Sequence, residues 1–175
     1  MKKRSSPRDY TSTHTVYALR LRTLTVKLRD SDSPTEDKTL DTFGHPWDMW
    51  TVLETVYGTL DDEQEHLVLL ILNGAHDLRG YKVMSSGRRD SVTVERRAVI
   101  RAAILLGATG IILAHNHPTG PASPSESDLL ITRELVWACT AADLEMVDHL
   151  IWTRDRGMCS IRRERPDLFE PPKLT

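Results

Sequence analysis

An apolar run that ends in two histidines constrains this chain most. Thr109-Gly110-Ile111-Ile112-Leu113-Ala114 reads as a buried strand, His115-Asn116-His117 follows at its end, and Pro118 to Pro124 is a loop of Gly, Pro and Ser. Residues i and i+2 of an extended segment point the same way, so His115 and His117 can aim both imidazoles at one point. A helical pattern begins after the loop, and Asp128 falls in its first turn as a third donor. Two His and one carboxylate, with a fourth position open, is the ligand set of a catalytic zinc site.

Ser125-x-x-Asp128 also reads as a helix start, with Ser125 as N-cap and an acid three residues on. The two readings are compatible, since a cap can hold the helix that presents the ligand. His-x-His, seven residues, Ser, two residues, Asp resembles the motif of the JAMM (MPN) metalloproteases. Leu113-Ala114-His115-Asn116-His117-Pro118-Thr119-Gly120 is similar to its RadC-like bacterial branch. The resemblance implies zinc, one ion per chain, on His115, His117 and Asp128. It implies that Ser125 donates a hydrogen bond to a developing oxyanion, and that a Glu on an earlier strand is general base. It also implies an α/β fold with a mixed, curved sheet flanked by helices.

The chain of 175 residues, 39% hydrophobic, is long enough for one domain with a core. A formal net charge of −2 gives no whole-chain case for nucleic acid or a membrane surface, and the basic residues near both ends read as solvated charge. Cys139 and Cys159 lack C-x-x-C spacing and read as free thiols of a reducing compartment. Met1-Lys2-Lys3-Arg4 is followed by no apolar stretch of the signal-peptide kind, and no run approaches membrane-spanning length. A cytoplasmic protein is expected.

In chain order, residues 1–43 read as an N-terminal extension with a strand or hairpin from Thr15 to Leu28, then a linker from Asp30 to Lys38. The RadC-like domain is placed at 44–165 and a Pro-rich tail at 166–175. Trp50, Leu53, Tyr57 and Leu60 share a helix face over 46–60. His66 to Leu72 is a continuous apolar run, expected as a strand buried on both faces, with Glu65 at its mouth. Glu65 is the candidate base, ahead of Glu63 and Glu54. The expected strand is to lie beside Gly110–Ala114, which brings Glu65 to the histidines only if the two run antiparallel; parallel strands would leave it at the far end of the sheet. Asn73 to Asp77 is a turn, and His76 in it is a weaker fourth ligand. Tyr81 and Val83 mark a returning strand. Helices are expected over 94–106 and 126–142, with strands over Leu144–Trp152 and Met158–Arg162. Asp148-His149, which has a counterpart in the RadC-like branch, is read as support for the ligands' outer ring nitrogens or as an ordinary strand pair.

These residues suit amide hydrolysis of a peptide or isopeptide bond, and the resemblance implies ubiquitin-like conjugates as a substrate class. The other reading is a catalytically silent binding module in a protein or nucleic-acid complex, but its usual sign, a missing ligand, is absent. A nucleobase deaminase would need His-x-Glu and Pro-Cys-x-x-Cys, and neither occurs. The sequence does not fix the oligomeric state.

Overall fold

The computed structural model describes residues 46–87, 95–154 and 157–170. The expected strand or hairpin at Thr15–Leu28, the linker after it and the loop at Arg88–Ser91 lie outside the described residues. The elements are α1 (Pro46–Tyr57), β1 (Glu65–Leu72), β2 (Leu78–Gly87), α2 (Arg96–Leu105), β3 (Gly110–Asn116), α3 (Glu126–Ala141), β4 (Glu145–Thr153), β5 (Gly157–Ser160), α4 (Ile161–Glu164) and a 3-10 turn (Pro166–Phe169).

Among the described residues the sheet has five strands, in the order β2-β1-β3-β4-β5. The apolar strands β1 and β3 lie side by side, and every residue of β3 is buried. Such strands can only be interior, because each face and each edge must be covered. They run antiparallel, with Leu67 opposite His115 and Leu72 opposite Gly110. The expected pairing is therefore observed, and the start of β1 meets the end of β3. Strand β4 lies parallel to β3, and the chain between them returns through α3. Parallel neighbours need such a crossover.

Alternation along the strands splits the core in two. Leu67, Leu69, Ile71, Ile111 and Leu113 pack with Val99 of α2 and Leu135 and Cys139 of α3. Val68, Leu70, Leu72, Ile112 and Ala114 pack on the other face with Val52, Leu53 and Tyr57 of α1. The fold is thus helices on both sides of a mixed sheet, as expected.

Pairing between β3 and β4 slips by one residue. Ile111 pairs with Met146 but Ile112 pairs with Asp148, so Val147 is skipped. A Cβ at Gly110 would come within 3.2 Å of the Val147 Cγ2, so the glycine leaves room for the skipped residue. After the slip, His149 pairs with Leu113, which puts it on the face that carries His115.

Two expectations at the C-terminal end need correction. Met158–Arg162 is not one strand: β5 ends at Ser160, whose hydroxyl accepts from the Arg163 backbone N–H and caps α4. Nor does a tail begin at Pro166, since Leu168 and Phe169 are buried in the core beside α3. Residues 171–175 lie outside the described residues. Among the described residues, no helix is long and apolar enough to cross a membrane.

Candidate metal centre

His115 is the penultimate residue of β3, and His117 is the first residue past it. The His117 backbone N–H donates to the Trp152 carbonyl at 2.9 Å, so extended pairing to β4 continues through the motif. The loop then turns through Gly120 at φ 113° and enters α3 at Ser125. Ser125 and Asp128 form a reciprocal capping box. The Asp128 N–H donates to Ser125 Oγ at 3.2 Å, while the Ser125 N–H and hydroxyl donate to Asp128 Oδ2 at 2.8 and 2.6 Å. The cap thus holds Oδ2 and leaves Oδ1 facing His115.

Nε2 of His115 lies 3.1 Å from Nε2 of His117 and 3.3 Å from Asp128 Oδ1. His117 Nε2 is 4.0 Å from Asp128 Oδ2. Donor atoms of the three residues all fall within 4.8 Å of one another. A tetrahedral zinc ion with bonds of ~2.0–2.1 Å separates its ligand atoms by about 3.3 Å, close to the two His115 distances, while the His117–Asp128 pair stands wider and would draw together on an ion.

The outer ring nitrogens fix which inner ones carry lone pairs. His117 Nδ1 is 2.9 Å from the Pro121 carbonyl, which can only accept, so Nδ1 donates there and the lone pair of the neutral ring falls on Nε2. His115 Nδ1 is 2.9 Å from His149 Nε2, and His149 Nδ1 is 2.7 Å from Thr132 Oγ1. Burial depresses the His115 pKa to about 4, with Asp128 opposing the shift and His117 adding to it. Burial, with His115 and His117 beside it, also pushes His149 well below the ordinary imidazole range. Both rings are therefore neutral at pH 7. The His117 Nε2 lone pair and the Asp128 carboxylate meet at Nε2 of the neutral His115, a donor set that a cation satisfies when His115 also turns a lone pair there. The donor set thus fits a metal ion.

Glu65, Leu67, His115, Ser127, Asp128, Ile131 and His149 line a cavity of about 140 Å³. Glu65 is half-buried, whereas Glu63 and Glu54 are exposed. Antiparallel pairing brings Glu65 here, since it stands two residues before Leu67, the partner of His115.

The sequence matches the family model described as RadC-like JAB domain over residues 44–166. The chain belongs to the RadC-like JAB domain family.

The RadC-like motif residues are thus brought together, but three other sequence candidates have different surroundings. The Ser125 hydroxyl is engaged by Asp128 Oδ2. Asp148 accepts from the Ser160 hydroxyl at 2.6 Å and from the backbone N–H groups of His149 and Arg162 at 2.7 and 3.1 Å. These bonds tie β4 to β5 and α4, and burial still raises the Asp148 pKa against them. His76 pairs with Glu145 at 2.9 Å in the β1–β2 turn, at the opposite end of the sheet.

Two residues of the site were not anticipated. Asn116, between the histidines, accepts from the His66 N–H at 2.7 Å and donates to the Gln64 carbonyl at 2.9 Å. Its amide therefore grips the chain on both sides of Glu65. An amide between two ligands, pointing to the opposite strand face, was the available signal. Thr132 lies one helical turn beyond Asp128, so the spacing alone placed it on the ligand's face.

Proposed function

We propose that this RadC-like JAB domain is a zinc-dependent hydrolase of peptide or isopeptide bonds. The observation that carries the reading is the meeting of His115 Nε2, His117 Nε2 and the Asp128 carboxylate beside a cavity that Glu65 also lines. Zinc bound there would supply Lewis acidity, polarising a substrate carbonyl and lowering the pKa of water towards ~7.

The chain's own groups supply the rest. Glu65 takes a proton at its carboxylate and returns it to the leaving amine, so the base is restored after each turnover. It does so without serving as a ligand, which keeps its oxygens basic and one metal position open. Ser125 donates its hydroxyl proton to the carbonyl oxygen as charge develops there, a contact worth ~10²–10³ in rate in other enzymes. To do this it exchanges its bond to Asp128 Oδ2, which keeps the Ser125 N–H as donor. The substrate is a protein or peptide, in the isopeptide case a ubiquitin-like conjugate.

The test is a screen of unlinked peptides and isopeptide-linked ubiquitin-like conjugates, with and without chelator, against the native protein and Glu65→Gln. Zinc content is measured on each sample. Cleavage lost in Glu65→Gln at unchanged zinc supports the reading. Full zinc without cleavage of any conjugate favours the silent binding module. Zinc lost in Glu65→Gln would make Glu65 a ligand, and unchanged cleavage would move the base to Glu63 or Glu54.

A further inference from the structure

Behind His115 runs a file of hydrogen bonds that starts and finishes on the same centre. We propose that Thr132 and His149 are positioning residues that set the tautomer of His115, with the direction imposed by the backbone carbonyl of Asp128. This rests on the hydrolase reading and adds how one ligand is made ready for metal.

The file can be followed proton by proton. Thr132 Oγ1 lies 2.6 Å from the Asp128 carbonyl oxygen. A carbonyl has no proton to give, so at that distance the hydroxyl must donate. Its single proton is thereby committed, and Thr132 offers His149 Nδ1 a lone pair at 2.7 Å. His149 Nδ1 must then carry hydrogen. As a neutral ring, His149 has a bare Nε2, which lies 2.9 Å from His115 Nδ1. His115 Nδ1 donates there in turn. The lone pair of His115 is left on Nε2, the atom 3.3 Å from Asp128 Oδ1 and 3.1 Å from His117 Nε2.

The reverse file is the informative comparison. Were Thr132 to donate to His149, each ring would hold its proton on Nε2. The hydrogen of His115 would then stand where a metal ligand needs a lone pair, bonded to His117 Nε2 at 3.1 Å or Asp128 Oδ1 at 3.3 Å, while two oxygen lone pairs would face each other at 2.6 Å, the shorter and more costly clash. Thr132, His149 and His115 are 0%, 1% and 2% exposed, so bulk water does not substitute for a missing member. Asp128 thus acts twice: its carboxylate faces the centre, and its carbonyl orients the protons behind a second ligand. The three elements α3, β4 and β3 are joined through it. A His149 serving only as a satisfied core residue would be indifferent to direction, since either order satisfies it.

Side-chain nitrogen NMR on the full-length protein decides between the orders. Histidine labelled with ¹⁵N is observed at pH 8 with chelator present, where no metal contributes. The expected result is His115 and His149 both protonated on Nδ1. Zn²⁺ affinity is then measured by competition with a chromophoric chelator for Thr132→Val, Thr132→Ser, His149→Leu and His149→Gln. Thr132→Val keeps the shape and loses the acceptor, so it should weaken Zn²⁺ by about 10–100-fold and shift His115 away from the Nδ1–H form. Thr132→Ser, and His149→Gln through its amide oxygen, should stay within about threefold of native. Should His149→Leu not fold, the near-isosteric Thr132→Val decides alone. An Nε2–H His115 in the native protein, or native affinity in Thr132→Val, overturns the proposal. Failure of the native protein to bind Zn²⁺ would defeat the hydrolase reading, while the NMR tautomer still decides this one.

Discussion

Replacing Asn116 by Ala removes two hydrogen bonds that the backbone around Glu65 depends on. Strand β3 ends at this residue, so the ladder to β1 has no further backbone partners there. The side chain extends the ladder by hand, its amide acting as a peptide group for His66 N–H and Gln64 C=O. The His66 contact is buried, and an unsatisfied N–H there costs about 1–3 kcal/mol. The Gln64 contact is only partly buried, so water recovers some of it, and a loss of about 0.5–1.5 kcal/mol is expected. The total is about 3 kcal/mol, a fall in Tm of roughly 6–12 °C for a chain of this size. Urea denaturation of the metal-free protein measures the stability. Amide exchange at His66, which should lose its protection, localises the effect. Asn116→Asp keeps the acceptor for His66 but sets a second acceptor against the Gln64 carbonyl, so its destabilisation should ease as acid protonates it. If Asn116→Ala costs under about 0.5 kcal/mol and His66 stays protected, Asn116 does not hold the Glu65 segment.

Four further outcomes are expected. Adding Zn²⁺ at about a hundredfold over its Kd should stabilise the native protein by about 2.7 kcal/mol, and His117→Ala should abolish that gain in the same thermal scan. Ser125→Ala removes the hydroxyl half of the capping box and should cost about 1 kcal/mol in urea denaturation, with no cost showing that the cap is dispensable. Leu69→Ala, in a fully buried site between β1 and the helices, should cost about 2–5 kcal/mol in the same assay, and a loss below that range would mean the core collapses around the gap. An unfolded histidine takes up a proton below about pH 6.5, whereas folded His115 resists until about 4, so the unfolded state binds more protons in between. Metal-free stability should therefore fall as pH drops through that window, by about 2 kcal/mol at pH 5 from His115 alone. A His115→Asn protein showing the same loss from pH 7 to 5 would refute that assignment.

The sequence carried the centre of this fold because its strongest signals were local. Two unbroken apolar runs could only be interior strands, and their neighbourhood placed Glu65 near His115 once they ran antiparallel. The capping box at Ser125 and the helix after it were equally local. What escaped depends on register across long stretches of chain. The bond from Asn116 to His66 joins residues 50 apart in sequence and exists only because Leu67 stands opposite His115. Thr132 has the composition of an ordinary helix residue until β4 sets His149 against it. Pro166 misled for a different reason: prolines commonly mark a tail, yet Leu168 and Phe169 a few residues on have a hydrophobic surface to cover.

The skipped Val147 gives β4 one residue of slack against β3. Strand faces alternate like odd and even numbers, so a residue lost from a regular ladder sends every later side chain to the other face. Here the loss has somewhere to go. Deleting Val147 leaves Met146 opposite Ile111 and Asp148 opposite Ile112, so His149 still stands opposite Leu113 and behind His115. The shortened strand closes its slip and keeps its parity. Val147→Ala keeps the slip, and the deletion removes it. Both proteins should show the native His115 tautomer and zinc affinity, and a changed tautomer in the deleted protein alone would show that the slip itself sets His149 against His115.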